Sequence, residues 1–363
     1  MIRILSLGYK SSKFGGPYFV AQSFKKMLNK KKFIIKDFFF TNKIVYYYFF
    51  RKKKLTSVLN KFNLMHVHNV YSLANIFVLL ISLRAGIPYI ISTHGNLNTW
   101  SINHNKLKKL VFLRFFKYFF KNATAIHILN NDEKIEISKH VDLTKIKTFV
   151  FQNHLDVNSY QFIKKKNNIF NVLFFGRLTE KKGIFELLHI IKIFVDNKIL
   201  NIKFLIIGPQ EKKIYKKCTE IINRLKIGHL IEFKEEIDSI FEKNKLFSQS
   251  NVFILPSKDE ADSISIKEAL ACGTPIVISK NCKFLTSNET KEFIKELDFD
   301  DNIGFFNAIM SFYRNKEETI SLSNKIHLYA KKNFSSELVE NNLSELFYDF
   351  LSYSNNSIYW DNK

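Results

Sequence analysis

Short apolar runs alternate with amphipathic stretches along nearly the whole chain, and they fall into two series. A strand buried on both faces reads as a continuous apolar run, and parallel strands need a crossover of a dozen or more residues, which a helix supplies. The first series has strand-like runs at 2–8, 33–40, 64–68, 88–93, 125–129 and 147–151, with helical stretches such as 18–29 and 106–120 between them. The second has runs at 171–175, 203–207, 230–233, 252–255 and 276–279. Lys164-Lys165-Lys166-Asn167-Asn168 is polar throughout and reads as a linker between the two. Past Ser279 the strand signal fades into helical stretches near 302–313, 317–331 and 336–350. This pattern predicts an α/β chain of two Rossmann-like doubly wound domains facing across a cleft, with ligands bound beyond the carboxyl ends of the strands. The 363 residues are enough for both. The expected division is 1–165, 166–335 and a C-terminal helical segment, 336–363, able to cross back to the first domain. No repeat of solenoid period is present, although the two halves share an architecture.

Cys218, Cys272 and Cys282 form neither a paired framework nor a Cys/His cluster with metal-ligand spacing, so a disulfide scaffold and a structural zinc site both lose support. A reducing, cytoplasmic setting is expected. MIRILSLGYK at the start has one arginine before its apolar residues and no small-residue cleavage site, and it is expected to be a strand and not a signal peptide. The most apolar later stretch, 76–91, is interrupted by Arg84, Gly86 and Pro88 and falls short of a membrane span.

The charge is unevenly placed. The formal net charge is +23, and residues 1–166 hold 29 Lys+Arg against 6 Asp+Glu while the remainder holds 27 of each. Between Asp37 and Asp132 there is no acidic residue. Drift in coding composition would load both halves alike, so the asymmetry points to an anionic partner of the first half. The segments YYYFFRKKK at 46–54 and KLKKLVFLRFFKYFFK at 106–121 interleave bases with large apolar rings, a composition suited to an anionic membrane surface. Part of the second segment must also serve as an ordinary core helix.

Several motifs could carry chemistry. Phe14-Gly15-Gly16-Pro17 leads from the first strand into a helix, where glycine backbone can approach a ligand and the helix start favours anions; a tight turn with Pro would need the same residues. After the strand NVLFFG comes Arg177-Leu178-Thr179-Glu180-Lys181-Lys182-Gly183, two cations converging where a phosphate would sit, or else a solvated basic turn. GxxxxGK[ST] and GxGxxG are both absent. The richest segment, 255–275, sets Glu260 and Glu268 eight residues apart, ahead of Gly273-Thr274-Pro275. A carboxylate at such a position can accept from adjacent sugar or ribose hydroxyls. Asp298-Phe299-Asp300 superficially matches a metal-binding DxD but reads as an acidic turn at a helix start. No metal site and no cofactor is expected.

Taken together these residues resemble the retaining glycosyltransferases of family four, the group 1 type with the GT-B fold. The resemblance rests on E-x7-E at Glu260 and Glu268 with the trailing EALACGTPIV, on GRLTEKKG at 176–183, on Gly15-Gly16, on Ser92-Thr93-His94-Gly95 and on Gly208-Pro209. It implies an acceptor-side first domain and a second domain that binds a nucleotide-diphosphate sugar. Carried over residue by residue, it implies that Arg177 and Lys182 hold the donor diphosphate, Glu268 the ribose and Glu260 the transferred sugar. Gly16 would let the first-domain loop approach the diphosphate, and His94 would contact the sugar near the reacting carbon. His66 and His68 in MHVHN are expected to border the cleft, with a structural role as their default.

Two departures bear on specificity. The family commonly has Gly-Phe-Gly after the first glutamate, where this chain has Ala261-Asp262-Ser263, so Asp262 or Ser263 is expected to touch the sugar directly. Asn153-His154 stands where the family often has Asn-Gly, removing the residue best suited to positive φ. The implied activity is metal-independent transfer, with retention, to a saccharide or lipid-linked saccharide of the cell-surface polysaccharide or lipopolysaccharide type. The implied setting is the inner face of the cytoplasmic membrane. Two other readings stay open: a nucleotide-sugar epimerase of the same architecture, which would convert donor without acceptor, and a basic nucleic-acid-binding protein, which leaves Glu260, Glu268 and GRLTEKKG unexplained.

Overall fold

The computed structural model describes residues 2–8, 16–29, 33–38, 51–68, 70–162, 169–284, 287–335 and 340–357. The polar run at 164–168, Gly15 and the aromatic cluster 46–50 lie outside the described residues. The chain divides into two compact units, one of residues 1–153 with 336–363 and one of residues 154–335. The division therefore falls at Asn153-His154, ahead of the polar run.

The first unit is built on a sheet of β1 (Ile2–Leu7), β2 (Phe33–Phe38), β3 (Leu64–Val67), β4 (Tyr89–Ser92), β5 (Ala125–Ile128) and β6 (Thr148–Val150), in the order β2-β1-β3-β4-β5-β6. Every neighbouring pair is parallel. Strands β3, β4 and β5 are buried at every position, which is why they read as unbroken apolar runs. The helix Glu340–Ser357 packs on the helix Gly16–Asn29 and completes this unit. It seats Phe347 with its ring centroid 6.3 Å from those of Phe24 and Phe33, and Phe350 5.1 Å from Phe149.

The second unit has β7 (Phe170–Phe175), β8 (Ile202–Ile207), β9 (Ile231–Lys234), β10 (Val252–Leu255), β11 (Ile276–Ser279) and β12 (Ile294–Leu297), all parallel, in the order β12-β11-β10-β7-β8-β9. Counted within the unit this is 3-2-1-4-5-6, and the order reverses between β7 and β10, where loops splay apart and doubly wound sheets bind ligands. The strand signal does not end at Ser279, contrary to expectation. β12 is an edge strand with only Ile294 buried, and Lys295 and Glu296 break its apolar run. Asp298-Phe299-Asp300 follows it as a turn, and the next residue, Asp301, caps the Asn302–Arg314 helix by accepting from Gly304 N–H at 2.8 Å.

Two glycines bring the loops beyond β7 together. Gly183 has φ +74°, and a Cβ there would lie 1.8 Å from the Pro256 carbonyl oxygen. Gly208 has φ +146°, and a Cβ would lie 2.1 Å from the Gly176 oxygen. Only glycine permits both the conformation and the approach. No helix among the described residues is long and apolar enough to cross a membrane.

Candidate functional site

In the second unit the GRLTEKKG loop leaves the carboxyl end of β7 and lies against the turn that leaves β10. Ser257 Oγ and Lys258 N–H donate to the Lys181 carbonyl at 2.9 and 2.8 Å, and Leu178 N–H donates to the Pro209 carbonyl at 3.0 Å. The loop is thus fixed on both sides at the point where strand order reverses. Lys182 Nζ sits 2.8 Å from Glu260 Oε1, which lies 2.8 Å from Ser257 Oγ and shares that hydroxyl's one proton with the Lys181 carbonyl. Burial pushes the Glu260 carboxyl up, but Lys182 and Lys181 beside it outweigh that and hold it below the ordinary carboxylate value. Lys181 pairs with Asp259 at 2.8 Å, and Lys283 stands 3.8 Å from the same carboxylate. Arg177 is exposed and carries no ion pair among the described residues. The loop therefore presents one unpaired guanidinium next to a lysine held by a carboxylate, a layout that can receive a diphosphate while the carboxylate receives hydroxyls.

Glu268 belongs to a separate cluster. It is 3% exposed on the helix Ile264–Ala271, and its Oε1 accepts from Tyr160 Oη at 2.8 Å and Lys243 Nζ at 3.1 Å. Lys243 is itself 5% exposed and stands 5.2 Å from the centre of the Phe175 ring. Burial first, and then the Glu268 charge, raises the Tyr160 hydroxyl far above its ordinary value, so it remains an O–H donor. The two residues expected to replace Gly-Phe-Gly contacts both have partners within the protein. Asp262 pairs with Lys267 at 2.7 Å, and Ser263 Oγ shares a hydrogen bond with Ser265 Oγ at 3.0 Å. The structure thus joins Lys182 to Glu260, leaves Arg177 unpaired on the same loop, and sets Glu268 in a buried socket.

In the first unit, Gly16 opens the helix Gly16–Asn29. The β3, β4 and β5 ends hold a buried histidine cluster. His127 Nε2 lies 2.7 Å from the Phe151 carbonyl, so it donates there and Nδ1 accepts. Ser92 Oγ, 2.8 Å from that Nδ1, must then donate to it, and so accepts from His66 Nε2 at 2.6 Å. One backbone carbonyl in this way sets two tautomers. The His66 and His68 ring centroids are 3.9 Å apart, and His68 Nδ1 meets His94 Nε2 at 3.0 Å. Burial, then the neighbouring histidines, drives His66, His68 and His94 well below the ordinary imidazole value, and burial lowers His127 to about 4 against the pull of the Phe151 carbonyl. All four are neutral at pH 7.

His94 is half-buried, with φ +48°, an uncommon conformation for a residue with a Cβ. Glu133 maintains it. This carboxylate is 1% exposed and accepts from Thr93 Oγ1 at 2.7 Å, Gly95 N–H at 2.5 Å and Leu129 N–H at 2.6 Å, gripping the loop on both sides of His94. Its own N–H is capped by Asn130 Oδ1 at 2.8 Å. Glu133, Ser257, Tyr160 and Lys243 escaped the sequence reading because each joins its site through space. Only Glu133 had a local signal, the Asn130-to-Glu133 spacing of a helix cap.

Comparison with known proteins places this geometry in context. Residues 18–159 match the family model "Glycosyltransferase Family 4", and residues 158–331 match "Glycosyl transferases group 1". An Escherichia coli UDP-Gal:alpha-D-GlcNAc-diphosphoundecaprenol alpha-1,3-galactosyltransferase is 26% identical over 272 residues, 69% of this chain and 66% of the relative. A Campylobacter jejuni N,N'-diacetylbacillosaminyl-diphospho-undecaprenol alpha-1,3-N-acetylgalactosaminyltransferase is 24% identical over 243 residues, 62% of this chain and 61% of the relative. The matched segments thus span just under two thirds of each relative's length. The crystal structure of Anabaena HepE in complex with UDP and glucose superposes with a TM-score of 0.75 at 15% identity, covering 97% of this chain and 100% of that one. The fold is GT-B, as the sequence predicts.

Proposed function

We propose that this GT-B chain, matched over 18–331 by two glycosyltransferase family models, moves a sugar from a nucleotide-diphosphate sugar to a saccharide or lipid-linked saccharide acceptor with retention of configuration. The observation that carries the proposal is the pairing of Lys182 with Glu260, beside the unpaired Arg177, at the strand-order reversal of a doubly wound sheet. Arg177 and Lys182 meet the negative charge that builds on the departing diphosphate, as preorganised cations and without a metal. Glu260 accepts from hydroxyls of the transferred sugar, with Asp262 and Ser263 beside it, and Glu268 accepts from the ribose. Gly16 offers backbone N–H to the diphosphate at a helix start. His94, neutral and held by His68 at Nε2, offers Nδ1 to a sugar hydroxyl. The acceptor attacks on the face the diphosphate leaves, and a departing phosphate oxygen takes its proton, so no carboxylate nucleophile is required.

The two named relatives act on diphosphoundecaprenol-linked substrates. Together with the basic first half of this chain, this supports a lipid-linked acceptor in surface polysaccharide or lipopolysaccharide synthesis, met at the inner face of the cytoplasmic membrane. The donor assignment is tested by titrating UDP, GDP and ADP into the wild type, Arg177→Ala and Glu268→Ala. Each charge-assisted contact contributes roughly 1.5 to 3 kcal/mol, so each variant should bind the preferred diphosphate about tenfold or more weakly. Arg177→Ala removes an exposed side chain and keeps the fold, whereas Glu268→Ala strips the buried Lys243 of its partner, so its melting curve is recorded before titration. Unchanged titration curves in both variants would contradict the assignment.

A further inference from the structure

The Glu268 side chain is held by residues that no motif contains. A buried ion pair loses the hydration of both charges, and an apolar pair of similar volume is often as stable or more so. Here the pair lies beside Phe175 at the hydrophobic core of the second unit, where apolar packing would serve stability alone. The geometry is also one-sided. Tyr160 Oη and Lys243 Nζ both converge on Oε1, while Oε2 accepts no hydrogen bond among the described residues. Two donors on one oxygen fix the carboxylate rotamer, with the lone pairs of the other oxygen left for a ligand.

We infer that Tyr160 and Lys243 are positioning residues that hold the Glu268 side chain in one orientation, with Oε2 presented to a ribose hydroxyl of the nucleotide. The inference rests on the donor-site reading proposed above. Tyr160 reaches the cluster from the first turn of the second unit's chain, directly after the 3-10 turn Val157–Ser159, and Lys243 reaches it from the helix Ile240–Gln249. Two elements far apart in sequence therefore converge on one oxygen of a third. A purely structural role predicts that losing either donor weakens the fold and every ligand alike. A positioning role predicts a loss confined to ligands with the ribose diol.

The experiment compares the ribonucleoside diphosphate that binds most tightly among UDP, GDP and ADP with its 2′,3′-dideoxy counterpart, on wild type, Tyr160→Phe, Lys243→Met and Lys243→Arg. Tyr160→Phe removes one hydroxyl and keeps the ion pair, so it stays informative should Lys243→Met fail to fold. The wild type should prefer the ribonucleotide by about tenfold or more. Tyr160→Phe and Lys243→Met should lose most of that preference with dideoxy affinity unchanged, and Lys243→Arg should restore it. Equal loss for both nucleotides, or preference intact in both variants, would overturn the inference while leaving the donor reading standing. A wild type that binds no nucleoside diphosphate, or does not distinguish the two, would overturn both.

Discussion

Acidification from pH 7 to pH 5 is expected to destabilise the N-terminal unit steeply, well before carboxylates titrate. His127 titrates at about 4 in the folded unit and near 6.5 when unfolded. Above pH 6.5 both states are neutral and the group contributes nothing. As pH falls below 6.5 the unfolded chain takes up a proton that the folded unit refuses, and stability drops by about 1.4 kcal/mol per pH unit until the folded group titrates too. For His127 alone that is roughly 2 kcal/mol by pH 5. His66, His68 and His94 shift in the same direction and act with the same sign. Against a typical total of about 5 to 15 kcal/mol, the combined effect is large. Glu260 behaves oppositely. Its lowered carboxyl stabilises the second unit above the ordinary carboxylate range and loses that contribution only as pH falls through and below it. Circular-dichroism melts between pH 8 and pH 5 should show a transition that moves sharply down below pH 6.5, and His127→Gln should reduce its slope. A midpoint constant to pH 5 would contradict the account of the cluster.

Vesicle flotation is expected to lose most of its signal when the outer face of the helix Lys106–Lys121 is neutralised. Leu113, Phe116, Phe119 and Phe120 of this helix enter the core. Leu107, Val111, Phe115 and Tyr118, exposed by 78%, 53%, 65% and 58%, line the opposite face at spacings of four, four and three. Lys106, Lys108, Arg114, Lys117 and Lys121 are exposed around them, with no acidic residue on the helix. Lys109 differs: it donates to the Ser101 carbonyl at 2.5 Å and lies 5.0 Å from the Tyr71 ring centre, so it is held to the protein. Each base near an anionic leaflet contributes about 1 kcal/mol, screened beyond a Debye length of about 8 Å. Changing the five exposed bases to Gln should therefore lower binding to phosphatidylserine vesicles at least a hundredfold. Binding of the wild type should fall with salt, and a water-soluble acceptor analogue should still be used. Undiminished flotation of the variant would make the face a merely solvated one.

The alternation of apolar runs carried both sheets into view because buried parallel strands have no polar face to interrupt them. β12 was missed for the converse reason: an edge strand with one buried residue has no such run. Arg177, Lys182 and Glu260 were legible because loop, turn and helix start each lie within a short segment. The histidine network was visible only as MHVHN and STHG, since its connections run through Ser92, the Phe151 carbonyl and the stacked rings of separate strands. Tyr160 and Lys243 left no sequence signal at all, because what matters is their meeting at one carboxylate oxygen.

Transfer itself tests the central claim most directly. Labelled UDP-, GDP- and ADP-sugars would be incubated with a diphosphoundecaprenol-linked saccharide in excess EDTA, and the product's anomeric configuration read by NMR. The account predicts labelled product from one of these donors with the donor's own configuration, formed by the wild type and abolished in Arg177→Ala and Glu260→Ala. Product of inverted configuration, turnover that returns only with added Mn²⁺ or Mg²⁺, or full activity in both variants would contradict it.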